Sequence, residues 1–198
     1  MKKLILVTSP PASGKTYVSR KLAGALSHVV YLDKDTLIPL SKQIFAVAKE
    51  PYNRSSAFFN TYIRDYEYET IVALALEALD YDDIVLINAP FSREIRDMDY
   101  IHKLKAKLRE KNASLVVVWV QTDIEVCHRR MIERNSPRDT WKLEHWDEFV
   151  AMSNFDIPVA LDDPAVKDDL IVFKNSDDAE FAESMQTTVK LLEETTRA

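Results

Sequence analysis

The sequence predicts an α/β fold in which a parallel sheet of about five strands carries helices on both faces. Short segments that are continuously apolar predict buried strands, and they alternate with longer segments whose apolar residues recur at helical spacing. The predicted strands lie at residues 4–7, 29–32, 84–87, 115–120 and 171–173. The predicted helices cover residues 18–26, 54–78 (as one or two helices), 93–111, 123–133 and 179–194. Asp123 stands where it would cap the fourth of these helices.

Length and composition predict the domain count and the cellular setting. The chain has 198 residues and a formal net charge of −6, which predicts one acidic domain over residues 1–198. A polynucleotide partner is not expected, because duplex binding relies on a basic surface. Its single cysteine, Cys127, precludes an internal disulfide, and no apolar stretch has the length of a membrane span or a signal-peptide core. We therefore expect a cytoplasmic protein that does not bind a membrane.

The first predicted strand runs directly into the sequence SPPASGKT at residues 9–16, and a predicted helix follows. A strand, a tight loop ending in Gly-Lys-Thr and a helix are the context of a phosphate-binding P-loop. Gly14 lets the backbone approach a phosphate, Lys15 would reach the β- and γ-phosphates, and the Thr16 hydroxyl would complete a Mg²⁺ shell. The sequence thus predicts bound ATP and Mg²⁺. The predicted nucleotide contacts are Ala12, Ser13, Gly14, Lys15, Thr16 and Tyr17; the alternative is an ordinary turn between a strand and a helix.

Polar residues follow the second and third predicted strands, at the edge of the sheet where ligands bind in doubly wound folds. Asp33 and Asp35 come after the second strand, and Asn88 comes after the third. Asp35 is predicted to orient or deprotonate an acceptor hydroxyl beside the γ-phosphate, with Asp33 as a second acceptor contact. Alternatively, either aspartate only caps the next helix. Arg93 and Arg96, beyond Asn88, are candidate contacts to an anionic acceptor or solvated side chains.

The densest positive charge lies in a segment that we predict to form a short Arg-rich lid, at about residues 129–142. Arg130 and Arg134 are one helical turn apart and share a face, and Arg138 follows in a proline-containing loop. These arginines are predicted to neutralise charge on the transferring phosphoryl group, with Arg138 also contacting the nucleotide. The alternative is a solvated helix end.

Together these residues resemble the P-loop kinases of the polynucleotide-kinase and AAA-type small-kinase group, over roughly the first three-quarters of the chain. The family form Gly-x-Pro-Gly-Ser-Gly-Lys-Ser/Thr is matched at Pro11, Ser13, Gly14, Lys15 and Thr16, whereas Ser9 and Ala12 depart from it. The resemblance implies that Asp35 activates the acceptor, that a helical segment at about residues 36–80 shapes the acceptor pocket, and that the three arginines belong to a lid. Where 5′-polynucleotide kinases carry an acceptor-binding arginine, this chain has Ile38, which disfavours a polynucleotide acceptor.

We therefore predict an ATP-dependent phosphotransferase that moves the γ-phosphate to a hydroxyl of a small acceptor, with Lys15, Asp35, Arg130 and Arg134 as catalytic residues. A second enzymatic hypothesis is a nucleoside-monophosphate-type kinase, whose acidic acceptor requires no general base. A different class is a nucleotide-binding regulatory module with little turnover. Ser9 and Asn88 motivate that hypothesis, because they replace residues expected at the phosphate and metal sites.

Overall fold

A computed structural model describes residues 2–136, 139–158 and 170–194. Its strands pair in parallel in the order β2-β3-β1-β4-β5. The strands are β1 (Lys2–Thr8), β2 (Val29–Asp33), β3 (Ile84–Asn88), β4 (Ala113–Gln121) and β5 (Leu170–Lys174). The predicted five-stranded parallel sheet is confirmed. Because β1 lies between β3 and β4, the loop that follows it opens at the centre of the sheet edge.

Helices connect the strands on both faces of the sheet. The α-helices are α1 (Lys15–Ala25), α2 (Ile38–Ala48), α3 (Ala57–Tyr62), α4 (Arg64–Ala78), α5 (Met98–Glu110), α6 (Ile124–Arg134), α7 (Thr140–Glu144), α8 (Trp146–Met152) and α9 (Asp178–Glu194). Within the described residues, 3₁₀ helices cover Lys34–Leu37 and Glu94–Arg96. Across the described ranges, no helix combines the length and apolar character that a membrane span requires.

The alternation of side chains along β1 divides the interior into two cores. Leu4 and Leu6 belong to a core that also holds residues of α4 and α5. Ile5 and Val7 point to the other face, where they join residues of α1 and α9. All four side chains are fully buried, as a central strand covered on both faces requires. The prediction of helices on both faces is therefore confirmed.

The structure differs from the sequence predictions at three places. The helix predicted from residue 93 begins instead at Met98, because the Asp97 side chain accepts from the backbone N–H groups of Asp99 and Tyr100 and caps it there. Asp123 occupies the N-cap position of α6, but its side chain makes no capping hydrogen bond. Helix α2 was not predicted as a separate element.

The aromatic residues of the 36–80 segment pack mainly against one another. Phe45 and Phe59 are buried with Ile63 in a third, smaller core against which Phe58 also packs. Tyr52 meets the Phe45 ring edge-on, with 5.3 Å between the ring centroids. Packing between helices thus accounts for Phe45, Phe58 and Phe59.

Candidate active site

The loop after β1 has the backbone of an anion cradle. Gly14 is the N-cap residue of α1 and has a φ of 86°, a left-handed conformation that glycine adopts without a steric penalty. No side chain caps α1, and its first turn contains no acidic residue. The N–H groups and the positive end of the helix dipole are therefore available to a phosphate.

The backbone conformation of Ala12 explains why the family pattern has glycine at this position. Ala12 also adopts a left-handed backbone, with a φ of 63°. For an L-residue with a Cβ atom this conformation costs about 1–2 kcal/mol. The departure from the pattern therefore preserves the loop conformation at some cost in stability.

The Ser13 carbonyl anchors the loop to neighbouring elements of the fold. It accepts hydrogen bonds from Asn175 Nδ2 at 2.7 Å, Thr122 Oγ1 at 3.0 Å and an Arg130 guanidinium nitrogen at 3.4 Å. Arg130 also donates to the Asn175 carbonyl at 2.9 Å. The Asn175 side chain is buried against the loop. Sequence reasoning did not predict this supporting contact. Only the tertiary fold brings the end of β5 to this point.

Gly14 and Gly24 provide a matched pair of substitutions. A Cβ atom at Gly14 would lie 2.5 Å from Asn175 Nδ2, whereas one at Gly24 meets nothing within 4 Å. We expect Gly14→Ala to destabilise the fold by about 1–3 kcal/mol, since it adds backbone strain and displaces Asn175. Gly24→Ala should instead stabilise α1 by about 0.5–1 kcal/mol. Urea unfolding of both variants checks this; equal effects would contradict the described loop geometry.

Asn88 links the phosphate loop to the end of β2. Its Oδ1 accepts from Lys15 Nζ at 2.5 Å and from Ser19 Oγ at 3.3 Å. Its Nδ2 donates to Thr16 Oγ1 at 3.3 Å and to Asp33 Oδ2 at 2.9 Å. An aspartate at position 88 would lack these two donors and would repel Asp33. The amide therefore fits this position because the carboxylate stands on the neighbouring strand.

The donor set suits Mg²⁺ only in combination with a nucleotide. The Thr16 hydroxyl and the Asp33 carboxylate are hard oxygen donors, and the Asn88 amide holds both. Within the described residues, no group of three or more His, Cys, Asp or Glu side chains is arranged to hold a metal ion. A magnesium ion here would accordingly be shared with the phosphates, as is usual for this metal.

The two aspartates after β2 have different environments. Asp33 does cap the following 3₁₀ helix, because its Oδ1 accepts from the Asp35 N–H at 3.0 Å. Its Oδ2 is used by Asn88 and by the Tyr31 hydroxyl at 3.1 Å. Asp35 is exposed and lines the cleft described below. The capping alternative thus describes Asp33, whereas Asp35 remains a candidate to meet an acceptor.

Glu67, on α4, organises the segment beside Asp35. Its buried carboxylate accepts from Lys34 Nζ at 2.8 Å and from Arg54 through two bonds of 2.7 Å, and Ser41 Oγ donates to it as well. Burial alone would raise the pKa of Glu67, but the hydrogen bonds from Arg54, Lys34 and Ser41 outweigh it and lower the pKa to about 2. This cluster ties the 3₁₀ helix, α2 and the loop carrying Arg54 to α4.

Glu67 predicts an acid-dependent loss of stability. Because its pKa falls from 4.5 to about 2 on folding, its contribution is complete above pH 4.5 and is lost as the pH falls toward 2. The contribution is on the order of 3 kcal/mol. Glu67→Gln should destabilise the protein at pH 7, since it leaves the buried Lys34 and the partly buried Arg54 without their carboxylate, and should flatten the pH dependence in this window. Urea unfolding across that range tests this, with Glu69→Gln, exposed on the same helix, as the control; an unchanged pH profile in Glu67→Gln would contradict it.

The predicted site residues meet in one cleft of about 1090 Å³ at the carboxyl edge of the sheet. Its lining includes Ala12, Ser13, Gly14, Lys15, Thr16, Tyr17, Asp35, Arg93, Arg96, Arg130 and Arg134. Asp33 and Asn88 are not part of the lining; Asn88 bonds to Asp33 and to two lining residues, Lys15 and Thr16. Arg138 falls outside the described residues. Lys34, Arg54 and Lys142 also line the cleft, and sequence reasoning missed them.

Arg130 and Arg134, which the sequence predicts to belong to a lid, lie on α6 and are held by partners that only the tertiary structure reveals. Arg134 forms an ion pair with Asp139, at 2.9 Å from Nε and 2.5 Å from a terminal nitrogen. Asp139 is fully buried and also accepts from Lys142 at 3.2 Å. Tyr17, at the first turn of α1, packs against Phe181 with 5.3 Å between the ring centroids. These contacts fix the side chains that border the cleft.

A family model described as an AAA domain matches residues 4–154, about three-quarters of the chain. The protein belongs to this AAA-domain family. The matched range contains the phosphate loop, Asp35, Asn88 and α6. A comparison with curated proteins gives no significant match.

Solved structures with the same fold include small-molecule kinases. A gluconokinase from Sinorhizobium meliloti is 17% identical with a TM-score of 0.55, covering 98% of this chain and 94% of that chain. A shikimate kinase from Bacteroides thetaiotaomicron is 16% identical with a TM-score of 0.54, covering 97% and 98%. Kti12 from Chaetomium thermophilum, solved with ADP-AlF3, is 18% identical with a TM-score of 0.52, covering 95% and 98%. At these identities the likeness establishes the P-loop kinase fold of this chain and no substrate.

Proposed function

We propose that this protein is an ATP-dependent phosphotransferase that moves the γ-phosphate to a hydroxyl group of a small acceptor. The observation that carries the proposal is that one cleft combines the phosphate loop with Asp35 and with arginines from two further segments. Phosphoryl transfer requires this combination, because catalysis rests on positioning the reactants and on stabilising the charge of the moving group. The small-molecule kinases that share the fold support the same class of reaction.

The loop and α1 would hold the nucleotide. The N–H groups at the start of α1 would receive the phosphates, and Lys15 would turn from Asn88 toward the β- and γ-phosphates. Thr16 and Asp33 would hold Mg²⁺, which would supply positive charge that neutralises the phosphates. Sequence reasoning assigned Asp33 to the acceptor; its link to Thr16 through Asn88 favours the metal instead.

Asp35 would act on the acceptor. Its carboxylate would accept the proton of the acceptor hydroxyl as that oxygen bonds to the γ-phosphorus. The bond from the γ-phosphorus to the bridging oxygen then breaks, and ADP leaves with the electron pair. Asp35 is positioned for this by the hydrogen bond from its own N–H to Asp33 and by the anchoring of Lys34 on Glu67.

Arg130 and Arg134 would stabilise the moving phosphoryl group. Arg130 lies beside Gly14, where one of its nitrogens is 3.5 Å from the position of a Cβ atom on that glycine. Arg134 reaches the same cleft while paired with Asp139, which orients its guanidinium. Arg138 is proposed to complete the lid.

Nucleotide-dependent stabilisation followed by an acceptor screen tests the proposal. Mg-ATP at about a hundred times its dissociation constant should raise the free energy of unfolding by about 2.7 kcal/mol. ADP release should then increase with a suitable alcohol. Stimulation only by nucleoside monophosphates would favour a nucleoside-monophosphate-type kinase. Nucleotide binding that no acceptor converts to ADP release would favour a regulatory module, and no binding would refute the donor site.

A further inference from the structure

The cleft has a charge opposite to that of the protein. Among the described residues, eight basic side chains and one acidic side chain, Asp35, line it, although the chain as a whole has 26 basic and 32 acidic residues. A concave, one-signed surface of this kind concentrates ligands of the other sign. The phosphates of the nucleotide would neutralise only the part of this positive charge that lies near the phosphate loop.

Four of the eight cations have carboxylate partners within the protein. Lys34 and Arg54 share Glu67, and Arg134 and Lys142 share Asp139. Of the remaining four, Lys15 belongs to the phosphate loop and Arg130 contacts its Ser13 carbonyl. These two lie where the nucleotide phosphates would bind. Arg93 and Arg96 are left, and they come from a different part of the fold.

Arg93 and Arg96 reach the cleft from the side of the sheet opposite to α1. The 3₁₀ helix that carries them is anchored by Ile95, which is buried in the core shared with α4 and α5. Glu94 anchors it further through an ion pair of 2.7 Å with Arg64. Arg93 directly precedes this helix and Arg96 ends it, and both side chains line the cleft. They form a two-arginine patch separate from the start of α1.

Neither arginine of this patch has a carboxylate bonded to it within the described residues. Arg93 is exposed and forms no ion pair there. Arg96 donates to the backbone carbonyl of Asp156 at 2.8 Å and lies over the Trp119 ring, while its buried Nε–H has no hydrogen-bond partner in this part of the chain. Burial lowers the pKa of Arg96, and the negative charge of Asp156 offsets this lowering only in part. An oxyanion in the cleft would offer the two guanidinium groups charge-assisted hydrogen bonds that no carboxylate of the described residues supplies.

We propose that the acceptor is an alcohol that carries its own anionic oxygen group, a carboxylate or a phosphomonoester, and that Arg93 and Arg96 bind this group while Asp35 meets the hydroxyl. The inference rests on the proposed function. Neutral sugars and amino alcohols are not expected as preferred acceptors, because they would bring no negative charge to the two guanidinium groups. Two arginines acting together suit either oxyanion, since both present oxygens to a forked donor.

Anion binding to the nucleotide-loaded protein tests the proposal without knowledge of the acceptor. The phosphate loop is first saturated with Mg²⁺ and a non-hydrolysable ATP analogue, and malonate or inorganic phosphate is then titrated at constant ionic strength. We expect saturable stabilisation against heat. Arg93→Gln and Arg96→Gln should each weaken the anion affinity about tenfold and leave the affinity for the ATP analogue unchanged. A stronger effect of malonate would indicate a carboxylate acceptor, and a stronger effect of phosphate a phosphomonoester.

Arg129→Gln is the matched control, because Arg129 is an exposed residue of α6 outside the cleft lining and the substitution removes the same charge. Equal weakening in this control, or no saturable anion effect in the wild type, would overturn the proposal. Arg93→Gln alters an exposed side chain and keeps the test valid if Arg96→Gln does not fold. If the wild type binds no ATP analogue, the proposed function fails. In that case the two-arginine patch is still tested by titrating malonate or inorganic phosphate into Lys15→Ala without nucleotide and measuring the stabilisation against heat.

Discussion

Lys15→Ala is expected to abolish ATP-dependent phosphoryl transfer and to weaken nucleotide binding by about tenfold to a hundredfold, since a charge-assisted hydrogen bond contributes about 1.5–3 kcal/mol. The Lys15 side chain lines the cleft beside the loop, and its ammonium bonds to Asn88 Oδ1. In phosphoryl transfer this group binds the β- and γ-phosphates and counters the charge that builds up between them. Loss of both binding and rate therefore follows from one missing cation.

The measurement is the thermal shift with Mg-ATP and Mg-GTP, together with ADP production, in the wild type and in Lys15→Ala. Lys21→Ala is the control, because Lys21 lies on the same helix and its ammonium contacts the Tyr17 ring at 5.6 Å instead of the cleft. The control should retain the nucleotide-dependent shift. Wild-type turnover in Lys15→Ala would contradict the assignment of the loop as the ATP site.

The fold could be predicted from local pattern because each strand carries its own signal. Residues 4–7 and 84–87 are continuously apolar, and both strands are covered on two faces. Capping is weaker as a signal: Asp97 caps α5 and Asp123 does not cap α6, although both stand at helix starts. Whether such a carboxylate bonds to the backbone or turns to solvent depends on local geometry that the residue type does not specify.

The parts of the candidate site that lie in one continuous segment were predictable from the sequence. The contacts between segments that are distant in the chain were not. Residues 12–17 form one loop and helix start, and the motif itself predicts their geometry. Asn175 and Asp139 carry no sequence signal, yet the first supports the Ser13 carbonyl and the second holds Arg134. Their roles depend on contacts between elements distant in the chain or on burial.

Asn88 shows that a carboxylate expected on one strand can be supplied by the neighbouring strand. On its own strand the residue suggests a missing metal carboxylate and hence weak activity. The register pairs Asn88 with Asp33 on β2, so a carboxylate is present one strand away and the amide bonds to it. The substitution that motivated a regulatory module is thus explained by the pairing of the two strands.

Asp35→Asn is expected to leave Mg-ATP binding unchanged and to reduce phosphoryl transfer about 10²–10⁴-fold, the usual contribution of a general base. Asparagine keeps the size of the side chain and the backbone N–H that bonds to Asp33, so the 3₁₀ helix should be preserved. The variant removes only the capacity to accept the acceptor's proton. A nucleoside-monophosphate-type kinase, whose acceptor needs no base, would show a much smaller loss.

Asp33→Asn separates the proposed base from the proposed metal ligand. Its carboxylate accepts from Asn88, which also bonds to Thr16. The Asp33 variant should therefore lose affinity for Mg-ATP and transfer activity together, whereas Asp35→Asn should lose transfer alone. Equal loss of binding and transfer in Asp35→Asn would place that carboxylate in the metal or structural set. Measuring Mg-ATP affinity and single-turnover transfer in both variants decides between these roles, because a base acts only on the chemical step and a metal ligand acts on both.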